Sequence, residues 1–303
     1  MLAVTGANGN LGRSLLAALA EAPARGTAPV RALVRSAPAA ASLRELEARG
    51  AAEVRVVDYR DSGAMTDALT GCSQVVHLVG IIRETAGNRY ADAHEGTAQA
   101  LATAVAAAGI DRLVGVSILG ADLASGNACL RSRAAADAIL LGAAPHVLVL
   151  RVPMVLGRDD HAARALRART ARDWSVTLRA SSLEQPIDAD DVLAAIRAGL
   201  AGRVSGRAVL DLAGPESLSR RNLTLRAAAV LGRRTRVLSL PLVLGLGAAW
   251  LMERFTAYPP VTRAMLGVLD HDDRIDPGPA ARQLGITLTS LDSTLAKVVG
   301  RSN

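Results

Sequence analysis

Short apolar runs alternate with Ala-rich stretches through the first half of the chain. Leu2–Thr5, Val30–Val34, Glu53–Val57, Val75–Val79, Leu113–Ser117 and Val147–Arg151 read as strands. Most of these runs lack a polar alternate position, as expected of strands covered on both faces. The stretch after Thr5 carries Leu15, Leu16, Leu19 and Ala20 at helical spacing. Further helices are predicted from about Gly96 to Ala108, closed by Gly109, and from about Arg131 to Leu141. Strand and helix in alternation predict βαβ units, hence an α/β fold on a parallel sheet.

Beyond Pro153 the pattern loosens. Asp188 to Ala201 and Arg220 to Leu231 read as helices, and Val209 to Leu212 as a short strand. Val237 to Met252 is the longest apolar run, interrupted by Ser239 and Pro241. It is shorter than the roughly 18–20 residues that span a bilayer and suits a buried or an interfacial helix. A Pro/Gly/Asp-rich stretch follows at 270–279. The expected organisation is a doubly wound core over residues 1–155. A smaller C-terminal substrate lobe, 156–303, sends elements back to that core and folds over the carboxyl edge of the sheet, where ligands bind in such folds.

Half of the 303 residues are apolar but only 2% are aromatic, so the core is built from Ala, Val and Leu. The net charge of +7 raises the question of an anionic partner. The arginines are scattered, with Arg233, Arg234 and Arg236 as the densest group. The aromatic platforms that single-stranded nucleic acid stacks on are scarce, which argues against nucleic acid. Cys72 and Cys129 are too far apart in sequence for a zinc pattern or a disulfide framework, which fits a reducing, cytoplasmic setting. An apolar strand directly after Met1 is not what a signal peptide looks like.

Residues 5–12 read Thr-Gly-Ala-Asn-Gly-Asn-Leu-Gly. The glycines at 6, 9 and 12 suit a tight turn, a close backbone approach to a pyrophosphate and a close helix–strand contact. The phosphate then rests on the N-terminus of the following helix. The position of this motif, after a strand and opening a helix, marks a dinucleotide site. Gly6, Asn8, Gly9, Asn10, Leu11 and Gly12 are its expected backbone cradle. Arg35, after the second strand, stands where an acid would select NAD(H), and so favours the 2′-phosphate of NADP(H), with NAD(H) as the weaker ligand. Arg31 points away if the strand alternates. Asp58, with Tyr59 beside it, is placed to meet the adenine end.

These residues, with VVDYRD at 56–61, HLVGIIRE at 77–84, HEGTAQAL at 94–101, VSILGAD at 116–122, RSRAAAD at 131–137, RVPMVLG at 151–157 and QPIDADDV at 185–192, resemble the atypical or extended short-chain dehydrogenase/reductases. The branch most resembled holds the nucleotide-binding accessory subunit of respiratory complex I and the NmrA-like proteins. The resemblance implies a Rossmann fold, Val79 and Gly80 under the ribose–pyrophosphate, Ser117 as the active-site serine and Pro153 near the nicotinamide. His94 falls near a position where many relatives carry Asn, and is otherwise an ordinary residue at a helix start.

The usual chemistry of that superfamily needs a Tyr with a Lys four residues later, the cation lowering the phenol pKa. The only lysine here is Lys297, and Tyr59, Tyr90 and Tyr258 are followed at that spacing by Gly63, His94 and Thr262. Cys129 takes the Tyr position and Arg133 the Lys position. Either Arg133 activates the Cys129 thiol for proton transfer, or Cys129 is a small buried residue and Arg133 holds a ribose hydroxyl or phosphate. Asp159-Asp160-His161 and His271-Asp272-Asp273 have metal-ligand composition, but adjacent residues on one loop rarely converge on an ion, so no metal is expected. Asp188, Asp190 and Asp191 suit a helix start.

Two functions follow as expectations. One is an NADP(H)-dependent oxidoreductase for an apolar, quinone- or enone-like small molecule. The other is a non-catalytic NADP(H)-binding structural or regulatory subunit of a membrane-associated, respiratory or quinone-related assembly, peripheral to the inner face of the membrane.

Overall fold

The computed structural model describes residues 1–21, 30–85, 87–158, 160–256 and 259–300. Ala-rich helices and Val/Leu strands appear in the expected alternation. In chain order they are β1 (Leu2–Thr5), α1 (Asn10–Glu21), β2 (Val30–Val34), the short helices α2 (Ala37–Ala41) and α3 (Arg44–Ala48), β3 (Glu53–Val56), α4 (Ser62–Leu69) and β4 (Gln74–His77). A π-helical turn, Ala91–Gly96, runs into α5 (Thr97–Ala107). It is followed by β5 (Arg112–Ile118), α6 (Ala128–Leu141) and β6 (His146–Val152). The second half holds β7 (Val155–Leu156), α7 (His161–Thr170), β8 (Trp174–Leu178), β9 (Leu183–Glu184), β10 (Ile187–Asp188), α8 (Ala189–Leu200), β11 (Arg207–Asp211), β12 (Leu218–Ser219), α9 (Arg220–Val230), β13 (Arg236–Leu240), α10 (Leu242–Phe255), α11 (Arg263–Leu269), α12 (Gly278–Leu284) and α13 (Leu291–Val299).

Seven strands form one parallel sheet in the order β11-β6-β5-β4-β1-β2-β3. The chain turns back between β1 and β4, so a crevice opens at their carboxyl ends. One face of the sheet packs Leu15, Leu16, Val192, Ile196 and Leu284 from α1, α8 and α12. The other packs Met65, Leu69, Leu101, Val105 and Leu140 from α4, α5 and α6. Small residues let these layers close up. A side chain at Gly199 would stand 2.7 Å from Leu148 and 3.0 Å from Val114, so α8 lies almost directly on the strands. A third cluster, with Leu156, Leu166, Leu223 and Leu295, holds α7, α9 and α13 together.

The differences from the sequence reading have local causes. β4 ends at His77, not Val79, because residues 78–80 leave the sheet to floor the crevice. α6 starts three residues early because Asn127 caps it, accepting from the N–H groups of Cys129 and Leu130 at 2.9 and 3.3 Å. In α1, Leu19 is only half-buried and Ala20 is exposed, so the inner face is Gly12, Leu15 and Leu16. The apolar run at 237–252 is not one helix: Pro241 divides it into β13 and α10. No helix among the described residues is long and apolar enough to cross a membrane.

Candidate functional site

The turn after β1 is built by two close approaches. Gly6 sits at φ +69°, where a side chain would be strained and would also stand 3.0 Å from the backbone of Leu78. A Cβ on Gly12 would meet the carbonyls of Ala7 and Gly6 at 2.6 and 2.7 Å, so α1 can press against the turn only with glycine there. Gly9 N–H donates to Gly6 C=O at 3.0 Å and closes the loop. The first N–H groups of α1, from Asn10, Leu11 and Gly12, have no intrahelical acceptors and collect the positive end of the helix dipole.

A cleft of about 490 Å³ opens at this turn, a size typical of small-molecule and cofactor sites. Gly6, Asn8, Gly9, Arg35, Asp58, Tyr59, Val79 and Gly80 line it. Asn10, Leu11, Gly12, Ser117, Cys129, Arg133 and Pro153 do not line it. Arg60, Ile81, Asn88, Asp92 and Thr97 line it too and were missed in the sequence. Arg60 was the accessible one, since it stands inside the 56–61 motif beside Asp58. Its guanidinium lies 3.8 Å from Asp58 and 3.9 Å from Asp92. Arg35 is exposed at the rim, whereas Arg31 is buried on the other face, bonded to Glu53 and to the Ala68 and Thr70 carbonyls.

Tyr59 lines the cleft and also braces the turn. Its hydroxyl donates to Leu33 C=O at 2.6 Å and accepts from Gly6 N–H at 2.9 Å. It thus ties the phosphate turn to β2. Burial pushes the phenol up to about 12, so it stays protonated.

Behind the cleft floor lies a packed polar group. Arg133 donates from Nη1 to Val79 C=O at 3.0 Å. A Cβ on Gly80 would stand 1.6 Å from Nη2, so the guanidinium occupies the space that glycine leaves. The Arg133 Nε is buried without a partner, and burial pulls the group below its ordinary pKa. One His94 ring nitrogen lies 3.1 Å from Ile81 N and 3.0 Å from Ile81 O, and its Nδ1 has no partner. The π-helical turn brings this ring inward, stacked on Tyr90. His77 Nδ1 meets Thr5 Oγ1 at 2.8 Å. Burial, assisted by the Arg133 charge, pulls both histidines down to about 3, so both are neutral.

Cys129 is fully buried, its thiol 3.7 Å from Ile81 C=O. Burial pushes the thiol up to about 11, and the lowering effect of Arg133 does not offset it. Burial opposes the thiol activation that one of the two alternatives requires. Cys129 is small and buried, with its Sγ against the Ile81 carbonyl at the floor of the site. Ser117 is also buried, its hydroxyl close to the Asp137 carboxylate without closing a full hydrogen bond. Asp137 accepts from Arg151 Nε at 2.8 Å, while burial raises its pKa.

The acidic loops serve other ends. Asp160 caps α7, and Asp272 accepts from Arg179, Ser182 and Leu183. Asp159 and Tyr258 lie outside the described residues. No cluster of three metal-type side chains occurs among the described residues.

The residues suit a dinucleotide. A glycine turn presents helix N–H groups, two arginines line the wall, and a buried Nε without a partner lies behind a floor that has no side chain at Gly80. Fold and site together define a Rossmann-type nucleotide-binding protein. More particularly, the chain belongs to the NAD(P)H-binding family whose model matches residues 6–186.

The relatives agree with the resemblance read from the sequence. The mitochondrial NADH dehydrogenase (ubiquinone) 1 alpha subcomplex subunit 9 of Arabidopsis thaliana is 29% identical over 226 residues, 70% of this chain and 53% of that protein. The ceramide reductase of Caulobacter vibrioides is 28% identical over 242 residues, 80% of this chain and 74% of that one. The chain thus spans about half the length of the plant subunit. The fold matches triphenylmethane reductase from Citrobacter with a TM-score of 0.77 at 18% identity, covering 99% of each chain. It also matches the Escherichia coli NADPH-dependent quinone oxidoreductase in complex with NADPH, with a TM-score of 0.74 at 20% identity over 98% of this chain and 99% of that one.

Proposed function

We propose that this protein is an NADP(H)-dependent oxidoreductase acting on an apolar, quinone- or enone-like small molecule. The observation that carries this reading is a cofactor cleft with cationic side chains on its wall, in a chain that lacks a Tyr/Lys pair and holds a buried, protonated thiol at Cys129. Asn8, Gly9 and the start of α1 would hold the pyrophosphate. Arg35 and Arg60 would hold a 2′-phosphate by charge-assisted hydrogen bonds. Arg133, locked on Val79, would fix the floor under the ribose. Bound there, a reduced nicotinamide supplies hydride. A substrate whose reduced anion is already stabilised by conjugation needs no strong acid beside it, so a buried thiol and neutral histidines are no obstacle. The quinone, dye and ceramide reductases among the similar proteins support a reductase of this kind.

A second reading has its own support. The missing Tyr/Lys pair, with the similarity to a complex I subunit, suits an NADP(H)-binding structural or regulatory subunit of a membrane-associated assembly. A deuterium-transfer assay separates the two. The protein is incubated with C4-deuterated NADPH and a lipid and metabolite extract, and mass spectrometry follows the label. A saturated ketone carrying deuterium on carbon is expected for an enone, and NADPH oxidation matched by quinol formation for a quinone, whose O–D exchanges with water. Tight NADPH binding with no labelled ketone, no quinol and no NADPH oxidation overturns the oxidoreductase reading in favour of the subunit. In the same assay Arg35→Glu is expected to weaken NADPH binding at least about tenfold, roughly the worth of one lost charge-assisted contact, while NADH binding changes little. Equal losses overturn the NADP(H) assignment.

A further inference from the structure

The chain has six aromatic residues, among them two Trp and one Phe. Trp174, Trp250 and Phe255 are all more than half exposed. An aromatic-poor protein thus places both of its Trp side chains and its Phe in solvent, outside its core.

They lie in one region. β8 and β13 pair in parallel as an isolated two-stranded ribbon, with Trp174 opposite Arg236, Val176 opposite Leu238 and Leu178 opposite Leu240. Ser175, Thr177 and Val237 face inward, while Trp174, Val176 and Leu238 stand out. The chain passes through Pro241 into α10, which lies on the end of the ribbon, where a Cβ on Gly245 would stand 2.3 Å from Leu178. Only Ala249 of α10 is buried. Leu244, Gly247, Ala248, Leu251 and Phe255 form an exposed stripe at helical spacing, with Val243 and Trp250 beside it. A helix apolar on its solvent side asks for a covering medium.

The charges around the patch say which medium. Arg172, Arg233, Arg234 and Arg236 are exposed together where the ribbon begins. Thr235 Oγ1 bonds Arg172 C=O at 3.0 Å and keeps the two loops adjacent, and the Arg236 guanidinium lies 5.2 Å above the Trp174 ring. Arg254 adds a cation at the far end of α10. Asp173 is the opposing acid at the ribbon, and Glu253 is paired with Arg263 at 2.8 Å. Exposed Trp and Phe, an uncharged helical stripe and a rim of arginines are the composition of a surface that lies in the lipid interface of an anionic bilayer.

We infer that α10 and the β8–β13 ribbon dock this protein on anionic lipid, with α10 lying in the plane of the interface. The inference stands apart from the cofactor reading, and its test reads a different quantity. The full chain is sedimented with vesicles of phosphatidylcholine alone and with vesicles carrying about one-third phosphatidylglycerol, and NADPH binding is measured on the same samples. Both tryptophans lie in the patch, so a blue shift of intrinsic emission reports docking directly.

At least tenfold tighter binding to the anionic vesicles is expected, weakened by salt. Each arginine near the surface is worth about fivefold. Arg233→Glu with Arg234→Glu should therefore remove more than tenfold, and Phe255→Glu a similar amount, with NADPH affinity retained as the check on folding. No sedimentation with either vesicle overturns the inference. So does a stable dimer that Phe255→Glu dissociates, because a second copy then covers the face. Equal binding to both vesicle types overturns the role given to the arginines.

Discussion

Cys129 shows how burial overrides a sequence neighbour. A cation four residues along a helix lowers a thiol pKa when the sulfur is wet. Here the sulfur has no exposure and the thiol is pushed up to about 11. Alkylation of the native protein by iodoacetamide at pH 7.5 is therefore expected to be at least a hundredfold slower than for a free thiol, about the difference in thiolate fraction. Cys129 should label quickly only after unfolding. Labelling of the native protein at a free-thiol rate, read by mass spectrometry, would restore the activated-thiol alternative. The substitution of Cys and Arg for Tyr and Lys was legible in the sequence. The outcome was not, because the burial of the sulfur depends on groups such as Ile81 that approach from another part of the chain. Arg60 was within reach beside Asp58 in the 56–61 motif, but its second partner, Asp92, comes from the π-helical turn.

At the scale of elements, the phosphate turn is held by more than its glycines. Tyr59, at the end of the β3 crossover, ties Gly6 N–H to Leu33 C=O through one hydroxyl. Tyr59→Phe keeps the packing and leaves both backbone groups without that partner, an expected cost of about 1–3 kcal/mol. Urea denaturation should show this as a lower midpoint with an unchanged slope, together with weaker NADPH binding. A variant as stable as the parent would mean that the turn is held by its glycines alone. The inner strands of the large sheet were legible because they are apolar runs covered on both faces, whereas the edge strands β3 and β11 hold no buried residue. β7, β9, β10 and β12 are two-residue pairings, too short to show a period. β8 reads WSVTL, a strict alternation, but its apolar Trp174 and Val176 are the exposed ones, so the pattern points the wrong face to the core.

For the whole molecule, acid should be destabilising between pH 6.5 and about 3. His77 and His94 are neutral in the fold with pKa values near 3, against 6.5 in the unfolded chain. In that window the unfolded state binds more protons, so stability is complete above 6.5 and is lost as pH falls toward 3. Each histidine accounts for about 2 kcal/mol by pH 5 at 1.36 kcal/mol per pH unit. The raised Asp137, Asp191 and Asp273 act in the opposite sense just above the ordinary carboxylate range, so the histidine slope is cleanest at pH 5–6.5. Urea midpoints at pH 7.5, 6.5 and 5.5 should fall in that order, and the fall should shrink in His94→Asn. A flat profile would place these rings in contact with water.

The packing of the sheet has one more consequence. Ile187, Val192, Ile196, Leu212, Ala280 and Leu284 cover the same sheet face as Leu15, Leu16 and Val30, and β11 pairs along the length of β6. Among the described residues, elements that follow β6 thus share one core with those that precede it. A chimera that exchanges the distal half for that of a relative must carry 187–212 and 278–288 along with the amino-terminal half, or leave Val114, Leu148 and Leu150 facing a foreign surface.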